Sequence, residues 1–174
     1  SAGPCLALTT SLSNGGESIA IEWPDQEGWK VGYEQDNGSQ AILETVISPE
    51  TVENWTQIGT VLVTRGDVES TANFDLDVLV DALVKRAQTN ARDVQIEKEK
   101  EGLPGIEASR IFVIKAKDYP DGTSETQVQL LVKGKKSVFN IQRTKRTADL
   151  DQETIRAWVA FLKTARLTAQ EDKV

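Results

Sequence analysis

The chain has 174 residues, 27% of them charged and 39% hydrophobic, and a formal net charge of −7; this fits one compact globular domain that needs no disulfide or metal staple. The acidic balance excludes general nucleic-acid binding, because phosphate contacts need a basic face. With no His and a single Cys, the commonest general base and metal ligand is missing, and neither an intramolecular disulfide nor a Cys-based zinc site can form.

Residues 1–17 are small and polar and end in Ser13-Asn14-Gly15-Gly16, which predicts a poorly ordered N-terminal arm. Cys5 lies in that arm. A lipidated Cys becomes the mature N-terminus and follows a small residue, whereas Pro4 precedes this one, so Cys5 reads as an unpaired thiol. No Met occurs anywhere, which predicts a processed chain with an export signal removed ahead of Ser1. No stretch reaches the roughly 18–20 apolar residues of a spanning helix.

Ser18 to Trp23 alternates Ile19 and Ile21 and predicts a strand. Pro24-Asp25-Gln26-Glu27-Gly28 is a turn, and Trp29, Val31 and Tyr33 alternate along the expected second strand of a hairpin. Asp36-Asn37-Gly38-Ser39 turns again, and Gln40 to Ile47 is strand-like up to Ser48-Pro49-Glu50. Glu53-Asn54-Trp55-Thr56-Gln57 then sets a large aromatic in a polar frame ahead of the β-branched strand Ile58–Thr64. Trp55 is expected to be buried and to anchor the start of that strand. Arg65-Gly66-Asp67 is ordinary punctuation after a strand.

Asn73 to about Thr89 is the first helix: Leu76, Leu79, Val80, Leu83, Val84 and Ala87 fall on the 3.6-residue period, with Asn73 as N-cap. Asp93 to Lys100 alternates Val94 and Ile96, Glu101-Gly102-Leu103-Pro104-Gly105 turns, and Glu107 to Lys117 is a strand apolar enough to be covered on both faces. Asp118 to Ser124 is a loop. Thr126–Val132 and Ser137–Lys145 predict a hairpin around Lys133-Gly134-Lys135-Lys136. A second helix opens at Asp149, capped with Gln152, and carries Ile155, Trp158, Val159, Leu162 and Ala165 on one stripe. Residues 168–174 are a polar tail. The pattern is α+β, with a mostly antiparallel sheet of about seven strands and two helices placed to cover opposite faces as a three-layer α/β/α sandwich.

Charge is unevenly spread. Residues 17–53 hold nine acids against Lys30 alone, while residues 126–148 hold six bases and no acid. Either the two segments meet and compensate, or the second forms a basic patch for an anionic partner.

The early Trp23-Pro24 and Trp29, the Asn54-Trp55-Thr56 segment, the middle helix, the Glu101-Gly102-Leu103-Pro104-Gly105 turn and the terminal helix with Trp158 together resemble the PsbP-like superfamily. That fold is shared by a photosystem II extrinsic subunit and a yeast Ran-binding nuclear import factor, and the resemblance is greatest to its small bacterial envelope members. It spans about residues 17–167. It implies a sandwich around an antiparallel sheet, a periplasmic, secreted or cell-envelope location, and an accessory or binding role, and it carries over no catalytic residue.

A non-enzymatic binding protein is therefore expected: a monomer with an unknown protein or small-molecule partner and no cofactor. The candidate contact residues are Trp29, Tyr33, Tyr119, Lys133, Lys135 and Lys136. Trp29 and Tyr33 also fit a core role. The alternatives are a hydrolase using paired carboxylates from Asp118, Asp121 and Glu125, and an intracellular trafficking adaptor like the Ran-binding relative.

Overall fold

The computed structural model describes residues 7–169; Cys5 and tail residues 170–174 lie outside that range. The elements are β1 (Leu8–Asn14), β2 (Glu17–Trp23), β3 (Trp29–Asp36), β4 (Gln40–Ile47), β5 (Gln57–Arg65), α1 (Val68–Ala72), α2 (Leu76–Asn90), β6 (Asp93–Lys98), β7 (Ser109–Lys117), β8 (Glu125–Lys133), β9 (Ser137–Lys145), α3 (Gln152–Leu162) and β10 (Arg166–Ala169). Seven strands form one antiparallel sheet in the order β3-β4-β5-β9-β8-β7-β6, and β1-β2-β10 form a second. The mostly antiparallel α+β pattern is as expected, and the second sheet adds three strands.

β7 shows how the large sheet is covered. Ile111 and Val113 point to one side and Phe112 and Ile114 to the other, and all four are buried. On one side α2 lays Leu76, Val80, Val84 and Ala87 against Phe112, Ile114 and Leu131. On the other, Ile155, Trp158 and Leu162 of α3 meet Ile111, Val113 and Ile141, and Ile19, Ile21 and Trp23 of the small sheet join them. Each such side chain contributes roughly 1.5–3 kcal/mol when fully buried.

Several sequence expectations are corrected. Leu8–Asn14 is not a loose arm: it pairs with β2 along its whole length, from Leu8 opposite Trp23 to Asn14 opposite Glu17. The strand contributes a hydroxyl as well as apolar contacts, because buried Thr10 accepts the Trp23 indole N–H at 3.0 Å. β2 and β3 do not form a hairpin. They lie in different sheets, and the 3-10 turn Asp25–Glu27 is the corner between them. The first helix starts at Leu76 with Asp75 as its cap, and Asn73 instead closes the short α1. The last helix starts at Gln152, where Asp151 rather than Asp149 accepts from the Thr154 amide. The expected polar tail begins inside β10, which pairs with β2.

The Trp55 expectation is also corrected. Its ring is half-buried in the loop before β5, with the Arg146 guanidinium 4.2 Å above it. The indole at the start of the β5 core is Trp23, which is fully buried with its ring 4.7 Å from Trp29 and 5.0 Å from Phe161. Gly59 makes room for it, since a Cβ there would overlap the Trp23 ring.

Candidate functional site

α2 packs mainly over β6, β7 and β8, with Val138 of β9 at the margin. On the same side of the sheet the outward residues of β9, β5 and β4 include Gln142, Thr60 and Glu44, all half-buried. Between α2 and this floor runs a cleft of about 540 Å³. Leu83, Arg86, Ala87 and Asn90 of α2 form one wall, and Tyr119, Pro120, Asp121 and Thr123 of the β7–β8 loop form the end. Glu125, Gln127 and Gln129 of β8 and Gln142 of β9 form the floor.

Strand alternation explains the floor. Val128, Leu130 and Val132 of β8 point into the core on the α3 side, so Glu125, Gln127 and Gln129 point the other way. Register then sets Gln142 opposite Gln129 and Asn140 opposite Leu131. The side chains link into one chain of hydrogen bonds. Gln142 Nε2 donates to Asn140 Oδ1 at 2.5 Å, and Asn140 Nδ2 donates to Gln129 Oε1 at 3.3 Å and to the Leu130 carbonyl at 3.1 Å. Gln129 Nε2 donates to Gln127 Oε1 at 2.8 Å, and Gln127 Nε2 to Glu125 Oε2 at 2.9 Å. An ionised carboxylate only accepts, so Glu125 obliges Gln127 to donate and fixes the direction of every amide behind it. Gln129 and Asn140 are buried within this chain, while Gln127 and Gln142 are half-buried at the cleft surface.

The expected carboxylate trio is divided. Asp118, at a backbone φ of 58°, pairs with Arg92 at 2.6 Å and does not line the cleft. Asp121 is exposed and accepts from the Thr123 hydroxyl at 2.6 Å and the Thr123 amide at 3.0 Å; these bonds hold its carboxyl below the usual range. Glu125 is occupied by Gln127. Two facing buried carboxylates are therefore not formed by these three residues.

Of the six expected contact residues, only Tyr119 lines this cleft. It is half-buried, and burial raises the pKa of its hydroxyl. Tyr33 is exposed on β3 and its hydroxyl donates to Gln35 Oε1 at 2.7 Å. Trp29 is buried on the opposite side of the sheet and donates its indole N–H to Glu27 at 2.9 Å. The basic hairpin wraps one of the chain's own acids: the Lys135 and Lys136 amides each donate to the buried Glu17 carboxylate at 2.8 Å. Gly134 permits this approach, since a Cβ there would overlap that carboxylate. Lys133 Nζ donates to the Phe74 carbonyl at 3.0 Å, and the Lys135 and Lys136 side chains stay exposed.

The acid-rich and base-rich segments meet a second time. Arg143 is buried and donates to Glu27 Oε2 at 2.7 Å and to Gln57 Oε1 at 2.8 and 3.0 Å. Its guanidinium lies 4.5 Å from the Trp158 ring, 5.1 Å from Phe161 and 5.3 Å from Trp29, and burial pushes its pKa down.

The amide floor escaped sequence reasoning, although Gln127 and Gln129 alternating with Val128 and Leu130 was a visible signal. Its continuation to Asn140 and Gln142 depends on the register of β8 and β9.

No protein-family model matches the chain, and no curated protein matches it. Among solved structures, the chain is similar to a protein from Bacteroides thetaiotaomicron, at 13% identity and a TM-score of 0.50, over 90% of this chain but 46% of that one. The chain thus spans less than half of that protein's length, and the likeness is one of fold. A protein of unknown function from Pseudomonas aeruginosa aligns over 90% of this chain and 94% of its own, at 13% identity and a TM-score of 0.45. LpqN, involved in cell envelope biogenesis of Mycobacterium tuberculosis, aligns over 93% and 91%, at 12% identity and a TM-score of 0.43.

Proposed function

We propose that the protein is a non-enzymatic binding protein that holds a small polar ligand in the cleft between α2 and the floor of β8 and β9. The observation that carries this reading is the one-directional amide chain. It leaves Gln127 with a spare N–H and Gln142 with a spare N–H and its whole carbonyl at the surface of a cleft of about 540 Å³, a size suited to a small molecule. These amides orient a ligand through neutral hydrogen bonds, while Asp121 and Glu125 at the cleft accept from Thr123 and Gln127.

Covering of the large sheet by α2 on one side, and by α3 with the small sheet on the other, supports reading the fold as a three-layer α/β/α arrangement of the PsbP-like kind. That reading favours the periplasm or cell envelope. No helix among the described residues is long and apolar enough to cross a membrane.

The test is a titration of isotope-labelled protein with sugars, amines and amino-acid amides, following the side-chain NH₂ signals of Gln127 and Gln142 by NMR. A ligand that binds here shifts these signals in the wild type and loses affinity for Gln142→Leu. Ligands that shift only other parts of the protein would refute the assignment. Recovery of the native gene product in the cytosolic fraction would refute the location.

A further inference from the structure

Past the cleft, the floor continues onto β5, β4 and β3, beyond the reach of α2; one step along this face Val46 and Ile58 are buried, with Val52 close to Val46. Register sets Gln142 opposite Thr60, Thr60 opposite Glu44, and Glu44 opposite Tyr33. Adjacent strands lie about 4.8 Å apart, so the short Thr60 side chain leaves a notch between two long ones whose backbones are roughly 10 Å apart.

Two independent features indicate what fits this notch. First, the amide chain runs toward Glu125, so the Gln142 carbonyl is its free end, and among the described residues nothing donates to it. Second, Glu44 is half-buried and has no hydrogen-bond or ion-pair partner among the described residues. Burial alone raises the pKa of its carboxyl, with no cation to offset it. The exposed Tyr33 ring flanks Glu44 in the same row. The notch therefore presents an unpaired carboxylate, an unengaged carbonyl and an aromatic face, with the Thr60 hydroxyl and one Gln142 N–H as its only donors and no cation in its row. The cations nearest in the fold are Lys30, exposed on β3 one step along the sheet beside Val46, and Arg86 on the α2 wall. Neither forms an ion pair among the described residues.

We propose that this notch binds the primary ammonium group of a small amine whose remaining atoms lie in the adjoining cleft. The proposal rests on reading that cleft as a ligand site. An ammonium has three donors and no acceptor, and here it meets three acceptors in a row: the Glu44 carboxylate, the Thr60 hydroxyl and the Gln142 carbonyl. The Tyr33 ring adds a cation–π contact. A planar guanidinium is preorganised for a fork of two parallel bonds to one carboxylate, and separate acceptors on three strands suit the compact ammonium better. A small free amine fits better than a protein lysine, because Gln142, on one side of the notch, also lines a cleft of small-molecule size.

The experiment titrates putrescine and its uncharged diol counterpart into wild type, Glu44→Gln, Tyr33→Leu and the control Glu22→Gln. Binding is read by calorimetry and by the Gln142 NH₂ signal, and thermal melts confirm that each variant folds. Putrescine is expected to bind and shift Gln142, the diol to do neither, Glu44→Gln to weaken binding about tenfold or more, Tyr33→Leu to weaken it several-fold, and Glu22→Gln to leave it unchanged. Equal putrescine binding by Glu44→Gln and wild type overturns the proposal, as does the absence of binding at millimolar amine. A diol or sugar that shifts Gln127 and Gln142 while putrescine does not would overturn the ammonium assignment and leave the cleft as a ligand site. Failure of every probe to shift these amides would overturn both.

Discussion

Arg143→Ala is expected to destabilise the protein by about 3 kcal/mol, the low end of the range for breaking a buried ion pair. The side chain is 4% exposed and donates three hydrogen bonds to Glu27 and Gln57, and its guanidinium touches three aromatic rings. Hydrogen bonds to a charged group contribute roughly 1.5–3 kcal/mol, and a desolvated cation–π contact up to about 2 kcal/mol. Against these stands the cost of taking the guanidinium out of water, several kcal/mol after relaxation. Removing the side chain regains that cost but leaves a void under Trp158 and Phe161. Glu27 is 41% exposed and rehydrates, which keeps the loss toward the low end. Arg143→Met refills the void without the charge and should cost about 1 kcal/mol or less. Urea unfolding of wild type, Arg143→Ala, Arg143→Met and Glu27→Gln measures each step. In a thermal melt the Ala variant should fall by roughly 6–12 °C. An Ala variant within about 1 kcal/mol of wild type would refute the stabilising role of the buried Arg143 contacts, and a Met variant as damaged as Ala would refute the balance between bonding and desolvation.

Trp55→Ala should cost only about 1 kcal/mol in urea unfolding, since it loses a half-buried ring and an exposed cation–π contact with Arg146; a loss above about 3 kcal/mol would place the ring in the core after all. Glu17→Ala should cost about 2–3 kcal/mol by the same assay and increase hydrogen exchange at the Lys135 and Lys136 amides, and unchanged exchange there would show that the carboxylate does not hold the turn. Arg65 pulls the Asp36 carboxyl down to about 2 from its ordinary 3.8. Its folded pKa is depressed, so the stabilisation is present above the unfolded value and lost as pH falls toward 2. Denaturation of wild type and Asp36→Asn should therefore differ near neutral pH and converge as pH drops from about 4 through 2, and a gap undiminished at pH 2 would refute the linkage.

Elements with one dominant physical signal were legible in the sequence. Ile111 to Ile114 read as a doubly covered strand because both faces are apolar. The α2 and α3 stripes read as helices because their apolar residues repeat every 3.6 positions. What failed depended on partners distant in the chain. β1 offers Thr10 and half-buried Leu8 and Leu12, too little for a strand until Trp23 and the core beneath supply the contacts. The choice between Trp23 and Trp55 as the buried indole is made by Gly59, whose missing Cβ matters only once β5 lies under the Trp23 ring. Arg143 is a charge in a strand, which local pattern assigns to the surface; three aromatic rings from two other segments take it inside. At the candidate site, Tyr119 was legible as an aromatic in a loop, whereas the Gln142 end of the amide chain required the β8–β9 register.

The small sheet has a consequence for how the chain is made. Its central strand, β2, is delivered early by the ribosome and brings Ile19, Ile21 and Trp23 with it. The surfaces that bury them include α3 and β10, which are among the last described residues to emerge. Until residues 152–169 are free, the nascent chain carries an uncovered apolar face and an unpaired strand edge, the two features that make incomplete chains aggregate. Closure is an end-to-end contact of high sequence separation, so folding is expected to be slow for a chain of this size and to complete only after synthesis has passed β10.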